Sequence, residues 1–133
     1  MITFKKEERL SSKILIENLF SIGKSLLIYP FKINYYFLEQ NQKAPLQLLI
    51  SVSKRNFKSA VKRNYIKRLI RESYRINKDT TSKLLINSQL NLVVSFSYIS
   101  KEILEYRVIR EKLKEVLNRL EDEIKKVIAE SKK

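Results

Sequence analysis

Nine basic side chains crowd residues 54–75 of the chain, and Glu72 is the single acid among them. The basic residues are Lys54, Arg55, Lys58, Lys62, Arg63, Lys67, Arg68, Arg71 and Arg75. Cations at this density repel one another unless anions lie between them, and the planar guanidinium of Arg matches two phosphate oxygens at once. The segment therefore predicts a surface that binds a phosphate backbone.

A helix gives this segment two different faces. At about 100° per residue, counted from Val61, one face collects the side chains predicted to be buried: Tyr65, Ile66, Leu69, Ile70 and Ser73. The opposite face collects six polar side chains: Arg63, Asn64, Lys67, Arg68, Arg71 and Arg75. A run of charge on a helix can also be a plain solvated face, but such faces interleave Glu with Lys, as the C-terminal segment of this chain does. The near absence of acids favours phosphate binding.

Catalysis by side chains has little to work with in this sequence. The chain has no Cys, no His and one Gly, which excludes disulfides, thiol nucleophiles, the usual zinc ligands, an imidazole base and a glycine-rich phosphate loop. The first hundred residues hold six carboxylates, which no spacing gathers into a magnesium site: Glu7, Glu8, Glu17, Glu39, Glu72 and Asp79. We therefore predict no catalytic residue and no metal ion bound by the protein's own side chains.

The charge balance indicates the class of partner. Lys and Arg total 28 against 14 Asp and Glu, which gives a net charge of +14 and a pI near 10.0. This excess predicts a polyanionic partner, with nucleic acid first and an anionic membrane surface second. The N-terminus lacks the apolar core of a signal peptide, and the apolar run at residues 26–31 is far shorter than a membrane-spanning helix. We therefore expect a cytoplasmic protein.

One domain must position the basic surface, since 133 residues with 44% hydrophobic side chains suit a single core. Helical spacing predicts a first helix over residues 11–22, capped by a serine at its start and ended by Gly23 with a positive φ. A continuous apolar stripe predicts a last helix over residues 100–129, followed by a frayed tail at 130–133.

Alternating residue types predict strands over residues 31–38 and 46–53. A polar turn at 40–45 is expected to join these two strands as an antiparallel hairpin. A polar linker at 79–82 follows the basic segment, and a third strand is predicted over 90–96. The pattern is typical of a mixed fold in which helices cover a sheet.

Aromatic and polar side chains of the first helix and first strand form a second candidate site. Asn34 and Tyr36 lie on the strand face opposite the main apolar alternation, and Ile16 and Phe20 form a second row on the helix. A shallow groove between helix and sheet holds single-stranded RNA by stacking its bases. These four residues are the predicted groove, with a core position for Phe20 as the alternative.

Two stretches around the basic helix carry a recognisable signature. SVSKR at 51–55 is followed, after a short loop, by AVKRNYIKRLIRESY at 60–74. This pattern closely resembles the signature of the bacterial ribonuclease P protein family. The resemblance extends upstream to Arg9 and Leu10 and downstream through residues 92–94 and the last helix. It therefore covers almost the whole chain.

The resemblance implies an α+β fold with a single domain over residues 1–133. In this two-layer α/β sandwich a four-stranded, mainly antiparallel sheet packs with helices, and a left-handed crossover carries the basic helix. The implied function is that of a non-catalytic subunit, which assists a catalytic RNA in removing the 5′ leader from precursor tRNA. The implied partners are this RNA and the leader, without a membrane or DNA. Mg²⁺ is expected to act through the RNA, while the protein binds the leader and lowers the magnesium requirement.

Carried over by position, the resemblance assigns two sets of RNA contacts. The set that faces the catalytic RNA is Lys54, Arg55, Lys58, Arg63, Asn64, Lys67, Arg68, Arg71 and Arg75. The set that lines the leader cleft is Ile16, Phe20, Asn34 and Tyr36. This chain departs from the family pattern at three places: Tyr65 stands where the family has Arg, Ile16 replaces a common aromatic residue, and residues 56–59 replace a glycine-containing loop.

Three other functions compete with this interpretation. A ribosomal or other structured-RNA-binding protein has the same composition, and only the signature argues against it. A basic amphipathic protein of membrane surfaces fits poorly, because the basic helix keeps no large apolar face once the sheet is covered. A protein-only nuclease needs clustered carboxylates, which the sequence spacing does not provide.

Overall fold

A four-stranded sheet and four helices form the part of the chain that the computed structural model describes, residues 8–38 and 44–131. The strands are β1 (Lys24–Ile28), β2 (Phe31–Leu38), β3 (Leu46–Val52) and β4 (Asn91–Tyr98). The helices are α1 (Lys13–Ser21), α2 (Ala60–Asn77), α3 (Asp79–Ser88) and α4 (Tyr106–Ser131). Within these residues no helix has the length and apolar character to cross a membrane. The predicted α+β class is confirmed.

The sheet has the order β1-β2-β4-β3. β2 runs antiparallel to both β1 and β4, whereas β3 runs parallel to β4. The sheet is therefore mainly antiparallel, as expected, and α2 and α3 form the crossover between its two parallel strands. The left-handedness of that crossover stays a prediction.

The predicted hairpin between the strands at 31–38 and 46–53 is wrong, because β4 lies between β2 and β3. Tyr35 of β2 and Leu48 of β3 both pair with Val94 of β4. Alternation of residue types identifies a strand but does not select its neighbours. Every residue of β4 except Ser97 is buried, which is the pattern of a strand covered on both faces, and such a strand takes a central place. Most of the predicted turn at 40–45 lies outside the described residues.

β1 is an edge strand that the alternation of residue types does not reveal. Its five residues are exposed or half-buried, and the apolar run at 26–31 is continuous apart from Pro30. β1 pairs with β2 from Lys24 opposite Tyr35 to Ile28 opposite Phe31. A strand of this length at the edge of a sheet buries too little surface to leave a clear pattern in its sequence.

Helices cover both faces of the sheet. α2 and α4 contribute to the large core on one face, where Ile33, Ile70 and Phe96 are fully buried. α1 covers the other face, where Leu19 packs beside Val93 in a small second core. The two cores share the sheet because successive side chains of β4 point to opposite faces. α1 and α2 therefore lie on opposite sides of the sheet.

α1 is a short helix with a small residue at each end. Ser12 caps it by accepting a hydrogen bond from the backbone N of Leu15 at 3.4 Å, so the predicted serine cap is confirmed. The predicted positive φ of Gly23 is wrong, since no glycine among the described residues adopts one. Gly23 is needed for space instead: a Cβ there would lie 2.2 Å from the carbonyl oxygen of Leu19 and 2.9 Å from that of Tyr35.

α3 and the end of α4 extend the helical content beyond the prediction. Residues 79–82 form the first turn of α3 and are not a linker. Asp79 lies in that turn, where a carboxylate interacts favourably with the helix N-terminus. α4 continues to Ser131, halfway through the predicted tail, and residues 132 and 133 lie outside the described part of the chain.

α4 begins at Tyr106, six residues later than predicted. The buried phenol of Tyr98 donates a hydrogen bond to the carbonyl oxygen of Glu102 at 2.7 Å and accepts one from the backbone N of Leu104 at 3.1 Å. These two bonds fix the preceding loop against the end of β4. The residue pattern of a single helix does not contain this long-range constraint.

Candidate RNA-binding surfaces

The loop between β3 and α2 carries the first three predicted cations. Ser53 Oγ accepts hydrogen bonds from the backbone N of Arg55 at 3.1 Å and of Asn56 at 3.4 Å, which turns the chain after β3. Phe57 is buried, and its ring centroid lies 6.2 Å from that of Tyr98. This contact anchors the loop to the end of β4. The loop cations are all exposed: Lys54, Arg55 and Lys58.

Arg63 fastens the same loop from the first turn of α2. Its Nη1 donates hydrogen bonds to the carbonyl oxygens of Phe57 at 2.8 Å and of Lys58 at 2.9 Å. Ser59 caps the helix by accepting a hydrogen bond from the backbone N of Lys62 at 3.4 Å. Part of the donor capacity of Arg63 is thus committed to the loop, and this side chain positions the exposed loop cations.

The buried face of α2 is rotated from the predicted one by about 40°. Of the five side chains predicted to be buried, Tyr65 alone is wrong, because it is 43% exposed. Tyr74 takes a buried place at the opposite margin, and burial raises the pKa of its phenol, which therefore stays neutral. α2 packs against α4 as well as against β3, so two neighbours set its buried arc. The angular positions of the residues along α2 do not reveal these two neighbours.

Exposure differs among the predicted polar side chains of α2. Asn64 and Arg68 are exposed, whereas the others are half-buried. Arg75 pairs with Glu72, and their hydrogen bond lowers the pKa of Glu72 and raises the pKa of Arg75. Glu72 neutralises the charge of Arg75 in this pair. The uncompensated positive charge therefore lies N-terminal to it, between Lys54 and Arg71. We define the cationic face as Lys54, Arg55, Lys58, Arg63, Asn64, Lys67, Arg68 and Arg71.

The predicted cleft residues lie on the side of the sheet that α1 covers. Ile16 and Tyr36 are half-buried and pack against the small core around Leu19. Asn34 is half-buried on the same face of β2. Phe20 is 52% exposed, so its alternative assignment to the core is wrong, and Leu19 fills that role. The structure thus brings Ile16 and Tyr36 into one cluster and leaves Phe20 outside it.

Ser95 is a polar residue of this face that the sequence interpretation missed. Its side chain is fully buried, and its Oγ has no hydrogen-bond partner within residues 8–38 and 44–131. Asn34 of β2 and Leu49 of β3 flank it in register. A serine inside the apolar run LNLVVSF is the one signal in the sequence. The sheet beside α1 therefore holds a buried hydroxyl next to a predicted leader contact.

Acidic side chains are scattered over the part of the chain that the structure describes. Among them, no three Asp, Glu, His or Cys side chains lie close enough together to hold one. Four of the carboxylates pair with cations instead: Glu72 with Arg75, Glu8 with Lys78, Glu115 with Lys112 and Glu123 with Lys126. The Glu8 and Lys78 pair is largely buried and ties the segment before α1 to the junction of α2 and α3. Its role is therefore structural.

The signature, the fold and the basic helix have counterparts in known proteins. The family model described as Ribonuclease P matches residues 4–121 of this chain. The chain belongs to the ribonuclease P protein family. The ribonuclease P protein component of Porphyromonas gingivalis is 34% identical over 115 residues, which cover 86% of this chain and 84% of the relative. That of Chlorobium phaeobacteroides is 30% identical over 128 residues, with coverage of 89% and 88%.

Solved structures of ribonuclease P proteins share this fold. The Staphylococcus aureus protein has a TM-score of 0.63 at 23% identity and covers 86% of this chain and 96% of its own. The Thermotoga maritima protein has a TM-score of 0.62 at 27% identity, with coverage of 84% and 96%. The protein is the RNA-binding subunit of ribonuclease P, an RNA-based endoribonuclease of tRNA processing. The predicted family and subunit role are confirmed.

Proposed function

We propose that this ribonuclease P protein binds two RNA segments at once in the cytoplasm. The cationic face binds the catalytic RNA, and the cleft between α1 and the sheet binds the 5′ leader of precursor tRNA. The observation that carries this proposal is the position of α1 and α2 on opposite sides of the sheet. The RNA leader in the cleft therefore does not compete with the catalytic RNA on α2. One small protein can thus join the leader to the catalyst.

The cationic face has the charge needed for the phosphate backbone of a folded RNA. Between Lys54 and Arg71 the sequence contains no acid. α2 advances about 12 Å from Arg63 to Arg71, at about 1.5 Å per residue, so the face spans more than one phosphate of a strand. The anchored loop adds its three exposed cations beside the helix N-terminus, which itself attracts anions. Arg68 and Arg71 are the proposed phosphate ligands at the centre.

The cleft offers the side chains that single-stranded RNA requires. Phe20 exposes half of its surface at the margin of α1, where a base can stack on it. Tyr36 and Ile16 provide a half-buried wall. The amide of Asn34 has both donors and acceptors for a base edge or a 2′-hydroxyl. These contacts favour unpaired RNA, which is the form we assign to the leader.

The proposed effect on magnesium follows from the charge of the partners. The catalytic RNA and the precursor are both polyanions, and their mutual repulsion must be screened before they associate. Since the described residues hold no ligand set for a metal ion, we assign Mg²⁺ to the RNA. The protein's cations supply part of the screening, and the magnesium concentration for half-maximal cleavage therefore falls when the protein is present.

We expect Phe20→Ala and Tyr36→Ala to weaken binding of precursor tRNA selectively. Each substitution should cost about 1 to 3 kcal/mol of binding free energy for precursor tRNA, the value of one stacked base. Affinity for mature tRNA should stay unchanged, because mature tRNA has no leader. The measurement is equilibrium binding of both tRNAs to the enzyme reconstituted from protein and RNA. Ile14→Ala is the matched control, since Ile14 is 69% exposed on the same helix and lies outside the cleft set.

A urea melt accompanies each variant, because Tyr36 is half-buried and its truncation also costs stability. Equal losses for precursor and mature tRNA, in variants that remain folded, would remove Phe20 and Tyr36 from the leader site.

A further inference from the structure

Val61 and Tyr65 form an exposed apolar pair on the basic helix. Val61 is 78% exposed and Tyr65 is 43% exposed, and their spacing of four residues places them one turn apart on the same side. On one side Tyr65 is flanked by exposed residues of α2, namely Lys62, Asn64 and Arg68. Tyr65 lies at the margin of the buried arc of α2 and is not among the side chains that pack in the core, so its ring is open to a partner.

The guanidinium of Arg68 lies over the Tyr65 ring, 5.6 Å from its centroid. This cation–π contact places the guanidinium over one face of the ring and restricts the rotamers of both side chains. Unpaired bases stack on aromatic rings and on guanidinium planes. A pair that is already ordered loses less conformational entropy when a base binds.

We propose that Tyr65 and Arg68 form a stacking platform for an unpaired nucleobase of the ribonuclease P RNA. This inference rests on the proposed function of the cationic face. Charge complementarity selects RNA as the occupant, because the neighbouring cations repel a basic protein surface and attract the phosphates on either side of a stacked base. The platform adds a contact to a base, while the charge of Arg68 still serves a phosphate beside that base and the other cations of the face contact further phosphates.

Stacking and phosphate contacts differ in their response to salt. A phosphate contact releases counterions, so its loss lowers the slope of log K against log salt by about 0.7 to 0.9. Stacking releases no counterions and leaves that slope unchanged. The salt series therefore separates the role of Tyr65 from that of a cation.

The first test measures binding of the ribonuclease P RNA alone to protein variants over a series of salt concentrations. We expect Tyr65→Ala to weaken binding by about 5- to 150-fold with an unchanged slope, and Tyr65→Phe to bind like the wild type. Ile86→Ala is the matched control, since Ile86 is 59% exposed on α3 and is not part of the cationic face. Wild-type affinity in Tyr65→Ala, or a slope lowered by a full phosphate contact, overturns the platform.

The second test uses the absence of Trp from the chain. Tyr65→Trp introduces a single indole, whose fluorescence is quenched when a base stacks on it. Addition of the RNA should quench this emission while affinity is retained, and an indole introduced by Ile86→Trp should keep its emission. Unquenched emission from the bound Tyr65→Trp protein contradicts the inference. If the wild-type protein itself fails to bind the RNA, the proposed function fails instead, so the two failures are distinguishable.

Discussion

The double variant Arg68→Glu with Arg71→Glu should bind the ribonuclease P RNA about 100-fold or more weakly than the wild type at moderate salt. Each hydrogen bond from a guanidinium to a phosphate contributes about 1.5 to 3 kcal/mol, and the introduced carboxylates repel the RNA. The slope of log K against log salt should fall by about 1.4 to 1.8, because two phosphate contacts are lost. A filter-binding titration at several salt concentrations measures both quantities.

The control for this experiment changes the same amount of charge elsewhere. Lys114 and Lys125 are exposed on α4, so Lys114→Glu with Lys125→Glu lowers the net charge of the protein equally. We expect this control to bind within a few-fold of the wild type. If both double variants lose the same affinity, the RNA responds to total charge, and the cationic face is not a specific surface.

Leu19→Ala is expected to lower the free energy of unfolding by about 2 to 5 kcal/mol. Leu19 is fully buried, and it is the one buried residue of α1. α1 has nine residues, which is too short for a helix that is stable by itself, so its packing on the sheet must hold it in place. Loosening α1 should also weaken precursor binding through the cleft, while α2 continues to bind the catalytic RNA.

Ile14→Ala on the same helix provides the comparison for Leu19→Ala. Ile14 is 69% exposed, and exposed substitutions usually change stability by about 0.5 kcal/mol or less. Urea denaturation of both variants, followed by binding of precursor tRNA and of the catalytic RNA, separates the two surfaces. A Leu19→Ala protein that loses both RNAs equally while still folded would show that the cleft and the cationic face are not independent.

The basic helix shows which structural features a sequence can predict and which features depend on distant parts of the chain. Charge and apolar spacing located α2 and four of its five predicted buried residues, because these follow from the helix itself. They placed Tyr65 on the wrong side, since the buried arc also depends on α4, which is distant in sequence. The same limit explains Arg63, whose bonds to the loop carbonyls depend on a backbone path that composition does not specify.

The sheet was less predictable than its strands. β2, β3 and β4 follow from residue types, but the choice of neighbours required the burial of β4 on both faces. β1 buries too little apolar surface to leave an alternating pattern of residue types in its sequence. In the cleft, helical and strand spacing placed Ile16 and Tyr36 near each other, whereas Ser95 reaches that face only through its register with Asn34.

Cleavage of precursor tRNA at low magnesium is the most direct measurement of the central claim, that this protein assists an RNA catalyst and does not cleave by itself. Three mixtures are compared: the protein alone, a bacterial ribonuclease P RNA alone, and the two together. We predict rapid cleavage at the 5′ leader in the combined mixture, little cleavage by the RNA alone until magnesium is raised, and none by the protein. Cleavage by highly purified protein alone, or an RNA rate that the protein leaves unchanged, would contradict the claim.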